Sequence, residues 1–110
     1  MSIHLVDQAS ITVFRSRLRD DVPAEYEARA DELEARARTF PGFVEFKEFV
    51  AADGERLALV TFASAAAETV WRDDTEHRAA QEEGRNDFYS EYDVSVCSVL
   101  RRHVWPDSGT

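Results

Sequence analysis

Trp71 and His77 stand six residues apart in the stretch LALVTFASAAAETVWRDDTEHRAAQEEGRNDFYSEY, which runs from Leu57 to Tyr92. An imidazole with a pKa near its ordinary value of about 6.5 can take up a proton at neutral pH, which makes His77 the best acid–base candidate. Trp71 offers a large flat surface that could hold an apolar molecule next to that base. Each also has a bland role open to it, as a core aromatic or as a helix-surface histidine. His4, His77 and His103 are isolated from one another, without metal-ligand spacing. There is no Gly-rich phosphate loop, no G-x-S-x-G elbow, and no flavin or nicotinamide signature. The chemistry in view is proton transfer beside an aromatic wall.

The elements that must position these two residues can be read from the flanking sequence. Glu55 to Ala63 reads as a strand, and Ser64 suits the cap of a short helix through Trp71. Asp73-Asp74-Thr75 interrupts the pattern, and Asp74 or Thr75 can cap a second helix to about Tyr89. His77, Gln81, Gly84 and Phe88 share one face of that helix. A position one turn from the helix start lowers the pKa of His77 and favours neutral imidazole.

Upstream, Ala9 to Leu18 is rich in β-branched residues and reads as a first strand. Asp20-Asp21-Val22-Pro23 opens a helix, with proline at the first helical position. Tyr26, Ala30, Leu33, Ala37 and Phe40 form its apolar stripe, and Pro41-Gly42 ends it. Phe43 to Ala51 is a second strand, joined to the third by an Asp53-Gly54 hairpin. A long final strand runs from Tyr92 to Trp105. Cys97 sits in it among valines and reads as a buried small hydrophobe. Residues 1–8 form a lead-in, 9–105 one domain and 106–110 a tail.

The order strand, helix, strand, strand, helices, strand is that of an α+β, ferredoxin-like split βαβ fold. Right-handed crossovers place the helices on one face of a four-stranded antiparallel sheet. The strands carry apolar residues on both faces: Phe46 and Phe49 point opposite ways, as do Leu59 and Val60. Two helical segments on one face cannot cover both faces, so a second copy is expected against the open one, burying more than about 1,500–2,000 Å². The net charge of −9 argues against nucleic acid and against anionic membrane surfaces. No apolar run is long enough to span a bilayer, no signal peptide is evident, and the lone cysteine fits the cytoplasm.

The run PGFVEFKEFVAADGERLALVTF, then VWRDDTEHRAAQEEGR, then DFYSEYDVSV resembles the antibiotic biosynthesis monooxygenase domain family over roughly Ser10 to His103. The resemblance implies a dimeric α+β barrel. Some members of that family oxidise anthrone-type polyketides with O₂ and without metal or flavin; others bind and degrade haem. Trp71 matches the position of the pocket aromatic in both groups. The haem-degrading members place their iron-ligating histidine where this chain has Gln81. Their pocket asparagine on the first strand has no counterpart among Ile11, Thr12 and Val13, so haem is not favoured and no cofactor is expected. The asparagine of the anthrone oxygenases falls near Thr61. Arg15, Phe88, Tyr89 and Tyr92 complete the expected substrate-binding set. The expected function is cofactor-independent oxygenation of a small hydrophobic phenolic or quinone-like compound. The alternatives are a non-catalytic ligand-binding or regulatory barrel and a haem-binding member.

Overall fold

A computed structural model of the chain describes residues 8–106. His4, most of the expected lead-in and most of the expected tail lie outside that range. The strands are β1 (Ser10–Leu18), β2 (Phe43–Val50), β3 (Arg56–Phe62) and β4 (Tyr89–Ser98). The helices are α1 (Tyr26–Ala37), α2 (Ala65–Arg72) and α3 (Thr75–Glu83), and a π-helical turn over Gly84–Phe88 joins α3 to β4. All neighbouring strands are antiparallel, in the order β2-β3-β1-β4. This is the expected ferredoxin-like α+β architecture. Among the described residues no helix is long and apolar enough to cross a membrane.

The register sorts the side chains into two faces. Thr12, Val60 and Val96 are aligned across β1, β3 and β4, as are Phe14, Ala58 and Val94. These face the helices. Ile11, Thr61 and Cys97 are aligned on the outer face, followed by Val13, Leu59 and Ser95. Beneath the helices, Ala37, Val60, Phe62 and Trp71 form the core, with Leu33, Phe40, Phe43, Phe46 and Ala67 packed around it. Burying such side chains contributes about 1.5–3 kcal/mol each, so this cluster fixes the helical layer on the sheet.

Three local expectations are corrected. Pro23 is not the first residue of α1; it precedes Tyr26, whose N–H donates to the Pro23 carbonyl at 3.1 Å. The Asp20–Pro23 run turns the chain before the helix begins. The last strand ends at Ser98, not Trp105, because its partner β1 begins at Ser10, opposite Ser98. Only the Val99 N–H bond to the Ala9 carbonyl continues the ladder. Cys97 is exposed, because β4 is an edge strand and Cys97 points away from the helices.

Candidate active site

Ser64 and Asp74 set the two helices that carry the candidate pair. Ser64 Oγ accepts the Ala67 N–H at 3.1 Å and starts α2. Asp74 Oδ2 accepts the His77 N–H at 3.0 Å and starts α3. Arg36 grips the same carboxylate at 2.7 and 2.8 Å, tying α1 to the α2–α3 junction. That guanidinium holds the Asp74 carboxyl down at about 2. The sharp break between α2 and α3 folds His77 back onto Trp71. The two rings stack at 4.2 Å between centroids, 16° from parallel. Phe40 meets the indole edge-on at 5.2 Å and Phe62 lies beyond it at 6.3 Å.

The imidazole is anchored as well as stacked. His77 Nδ1 lies 3.2 Å from the Trp71 carbonyl oxygen. In neutral histidine Nδ1–H donates to that carbonyl, which leaves the lone pair on Nε2. The pKa of His77 is lowered. The main cause is burial, not the helix start; the Trp71 carbonyl and Asp74 oppose the shift without overcoming it.

Trp71 and His77 line one cavity of about 150 Å³ between the helices and the sheet. Its floor is Thr12, Phe14, Phe46, Ala58 and Val60. It opens towards β4, where the lining residues Val94 and Val96 are 41% and 48% exposed. Gln81, Phe88 and Tyr89 also line it. Phe88 closes it with Tyr26, their rings 5.2 Å apart and edge-on. Gly84 is buried beneath Tyr89: a Cβ there would come within 2.7 Å of the tyrosine ring. The π-helical turn thus needs glycine at this point for the Tyr89 ring to lie over it.

The other expected substrate-binding residues do not line this cavity. Arg15 is on the outer face, with both ends of its guanidinium 3.1 Å from Glu55. Thr61 is buried but also belongs to the outer face, opposite Ile11. Tyr92 faces the helices yet stands beside the cavity, stacked on Phe14 at 5.5 Å and accepting a bond from Arg85 at 3.3 Å.

Several polar lining residues were not singled out from the sequence, Glu68, Thr12, Glu48 and Arg56 among them. Glu68 is 4% exposed and lies 3.4 Å from Arg72. Its place three residues before Trp71 on the same helix was the available signal. Thr12, Glu48 and Arg56 all fall on the inward register of their strands. Burial pushes the Glu48 carboxyl up, although Arg56 pulls the other way. The hydroxyls of Tyr26 and Tyr89 are both pushed up by burial, so both stay protonated at neutral pH. Among the described residues no group of three or more His, Cys, Asp or Glu could hold a metal ion.

No family model matches the chain. SnoaB from Streptomyces nogalater, a cofactor-independent oxygenase, superposes in a variant form with a TM-score of 0.76 at 17% identity, over 93% of this chain and 100% of its own. Rv0793 from Mycobacterium tuberculosis gives 0.76 at 17% identity, over 88% and 100%. A protein from Nitrosomonas europaea proposed to be an antibiotic biosynthesis monooxygenase gives 0.72 at 8%, over 94% and 97%. By sequence, the uncharacterised YqjZ of Bacillus subtilis is 30% identical over 96 residues, which is 87% of this chain and 84% of YqjZ. The chain belongs to the YqjZ family, with the antibiotic biosynthesis monooxygenase fold. In this YqjZ relative the cavity lies between the helices and the sheet, with the stacked Trp71–His77 pair at one end.

Proposed function

We propose that this YqjZ-family protein is a cofactor-independent monooxygenase that oxidises a small hydrophobic phenolic compound with O₂. The observation that carries the reading is the Trp71–His77 stack inside one cavity, with an imidazole that burial keeps neutral. Phe14, Phe46 and Trp71 hold the aromatic ring. His77 Nε2 takes the phenolic proton as general base. The resulting phenolate passes one electron to O₂, and superoxide joins the ring radical at the para carbon. Loss of water from that peroxide breaks the O–O bond and leaves a carbonyl. For 1-naphthol the sum is 1-naphthol plus O₂ giving 1,4-naphthoquinone plus water, with no outside reductant. Gln81, Phe88 and Tyr89 shape the remaining walls.

An oxygen electrode with 1-naphthol and no added metal tests this. Uptake of one O₂ per naphthol, lowered about 100-fold or more by His77→Ala, is the expected result. A ligand retained through purification with no oxygen uptake from any phenol would replace the enzyme by a binding module.

We further infer that the working unit is a homodimer in the cytosol, its outer sheet faces packed together. Support comes from Ile11, Val13, Leu57 and Leu59 on that face and from Phe49 beside them, which is 43% exposed. Beyond β4, Leu100 and Trp105 are 96% and 83% exposed, as befits a segment that rests on a second copy.

A further inference from the structure

Two buried side-chain polar atoms among the described residues have no hydrogen-bond partner: Thr12 Oγ1 and Arg56 Nε. Both residues line the same cavity. A buried polar group without a partner is costly, and an orphan in a native fold calls for a reason. Two orphans in one cavity call for a shared one. Thr12 lies between Val60 and Val96 near the Trp71 end. Arg56 lies four residues along the sheet, opposite Ser16, at the Tyr26 end.

We propose that Thr12 and Arg56 are specificity-determining residues, one at each end of the cavity, that each recognise a neutral acceptor oxygen on an aromatic ligand, a carbonyl or a phenolic oxygen. This rests on the reading of the cavity as the substrate site. Arg56 Nε–H can only donate, so its partner is an acceptor. The Thr12 hydroxyl donates as readily. The carboxylates of Glu27 and Glu48 each stand 3.8 Å from Arg56 Nη2. Their presence, with the guanidinium over the Tyr26 ring at 5.8 Å, leaves little net positive field for an anion. The buried Nε therefore suits a ketone or quinone oxygen better than a carboxylate. Phe14 and Ala58 lie between the two donors and provide the apolar floor for the ring.

The experiment compares 1-tetralone with tetralin, the same ring system without the carbonyl, and with 1-naphthoate, by quenching of tryptophan fluorescence. The intact protein should bind tetralone about tenfold or more tighter than tetralin, and tighter than naphthoate. Of Thr12→Val and Arg56→Lys, the variant at the end that the tetralone carbonyl occupies should reduce the ketone preference to within about threefold, with tetralin affinity unchanged. Thr12→Val should also raise the denaturation midpoint of the ligand-free protein, since it removes an unpaired hydroxyl; a structural hydroxyl would do the opposite. Tetralin bound as well as tetralone, naphthoate bound most tightly, or a ketone preference untouched by both variants would each overturn the subsite while leaving the cavity as the ligand site. Failure of the intact protein to bind any of the three would overturn the subsite and the reading of the cavity together.

Discussion

His77 is held by a stacked indole, a carbonyl at Nδ1 and a carboxylate at its backbone N–H, and in the proposed reaction Nε2 is the base. Burial lowers its pKa, and the base form therefore persists below the ordinary value of about 6.5. The pH profile of kcat/KM should fall on acidification with a midpoint under about 6.5; a midpoint above that value would mean a different group titrates. The same shift acts on stability. Unfolded histidine binds a proton at higher pH than folded His77, so folding stability should drop as pH falls through about 6.5 towards the folded pKa. His77→Gln should flatten that part of the curve in denaturant titrations across pH 5–7. Trp71 and His77 stood out in the sequence one by one, but that their rings meet was not legible, because the helix break between them leaves the relative direction of the two helices open. Thr12, Glu48 and Arg56 were not legible as lining groups. A polar residue on an inward strand position looks the same in sequence as one on the outer face until the register is known.

At the scale of elements, the site depends on the α2–α3 junction. Asp74 caps α3 and takes both contacts from Arg36. Asp74→Ala should cost about 1–2 kcal/mol in chemical denaturation. Asp74→Asn, which keeps a capping oxygen, should cost less and restore part of the activity lost in the alanine variant. Equal losses for the two would mean that the cap does not position His77. Gly42 sits between α1 and β2 at φ +82°, and a Cβ there would approach the Ala67 Cβ to 2.7 Å. Gly42→Ala should destabilise by about 1–3 kcal/mol, read by thermal melting. The cap at Ser64, a cap at Asp74 or Thr75, and the Asp53-Gly54 hairpin were readable because short polar side chains and glycine have local geometric jobs. The ends of α1 and β4 were not. Pro23 fits a turn as well as a helix start, and the length of β4 is set by a partner strand 88 residues away, where Ser10 pairs with Ser98.

For the whole molecule, two-sided apolar strands were the main signal, and the register distributes them as the alternation implied. The inner set packs under three helices; the outer set includes Leu57, Leu59 and Phe49. Leu59→Arg on the outer face should shift the particle from two chains to one in light scattering. An intact protein that is already monomeric at micromolar concentration would remove the second copy from the account. Cys97 shows why the distinction matters: a hydrophobic neighbourhood in sequence became an exposed thiol because β4 lies at the edge.

The central claim is that His77 starts an oxygenation inside this cavity. Incubation of 1-naphthol with ¹⁸O₂ and metal-free protein, followed by mass spectrometry, addresses it most directly. The account predicts one labelled oxygen in the naphthoquinone, formed about 100-fold or more faster than with His77→Ala. Unlabelled quinone, or labelled quinone formed at the same rate by the variant, would contradict it.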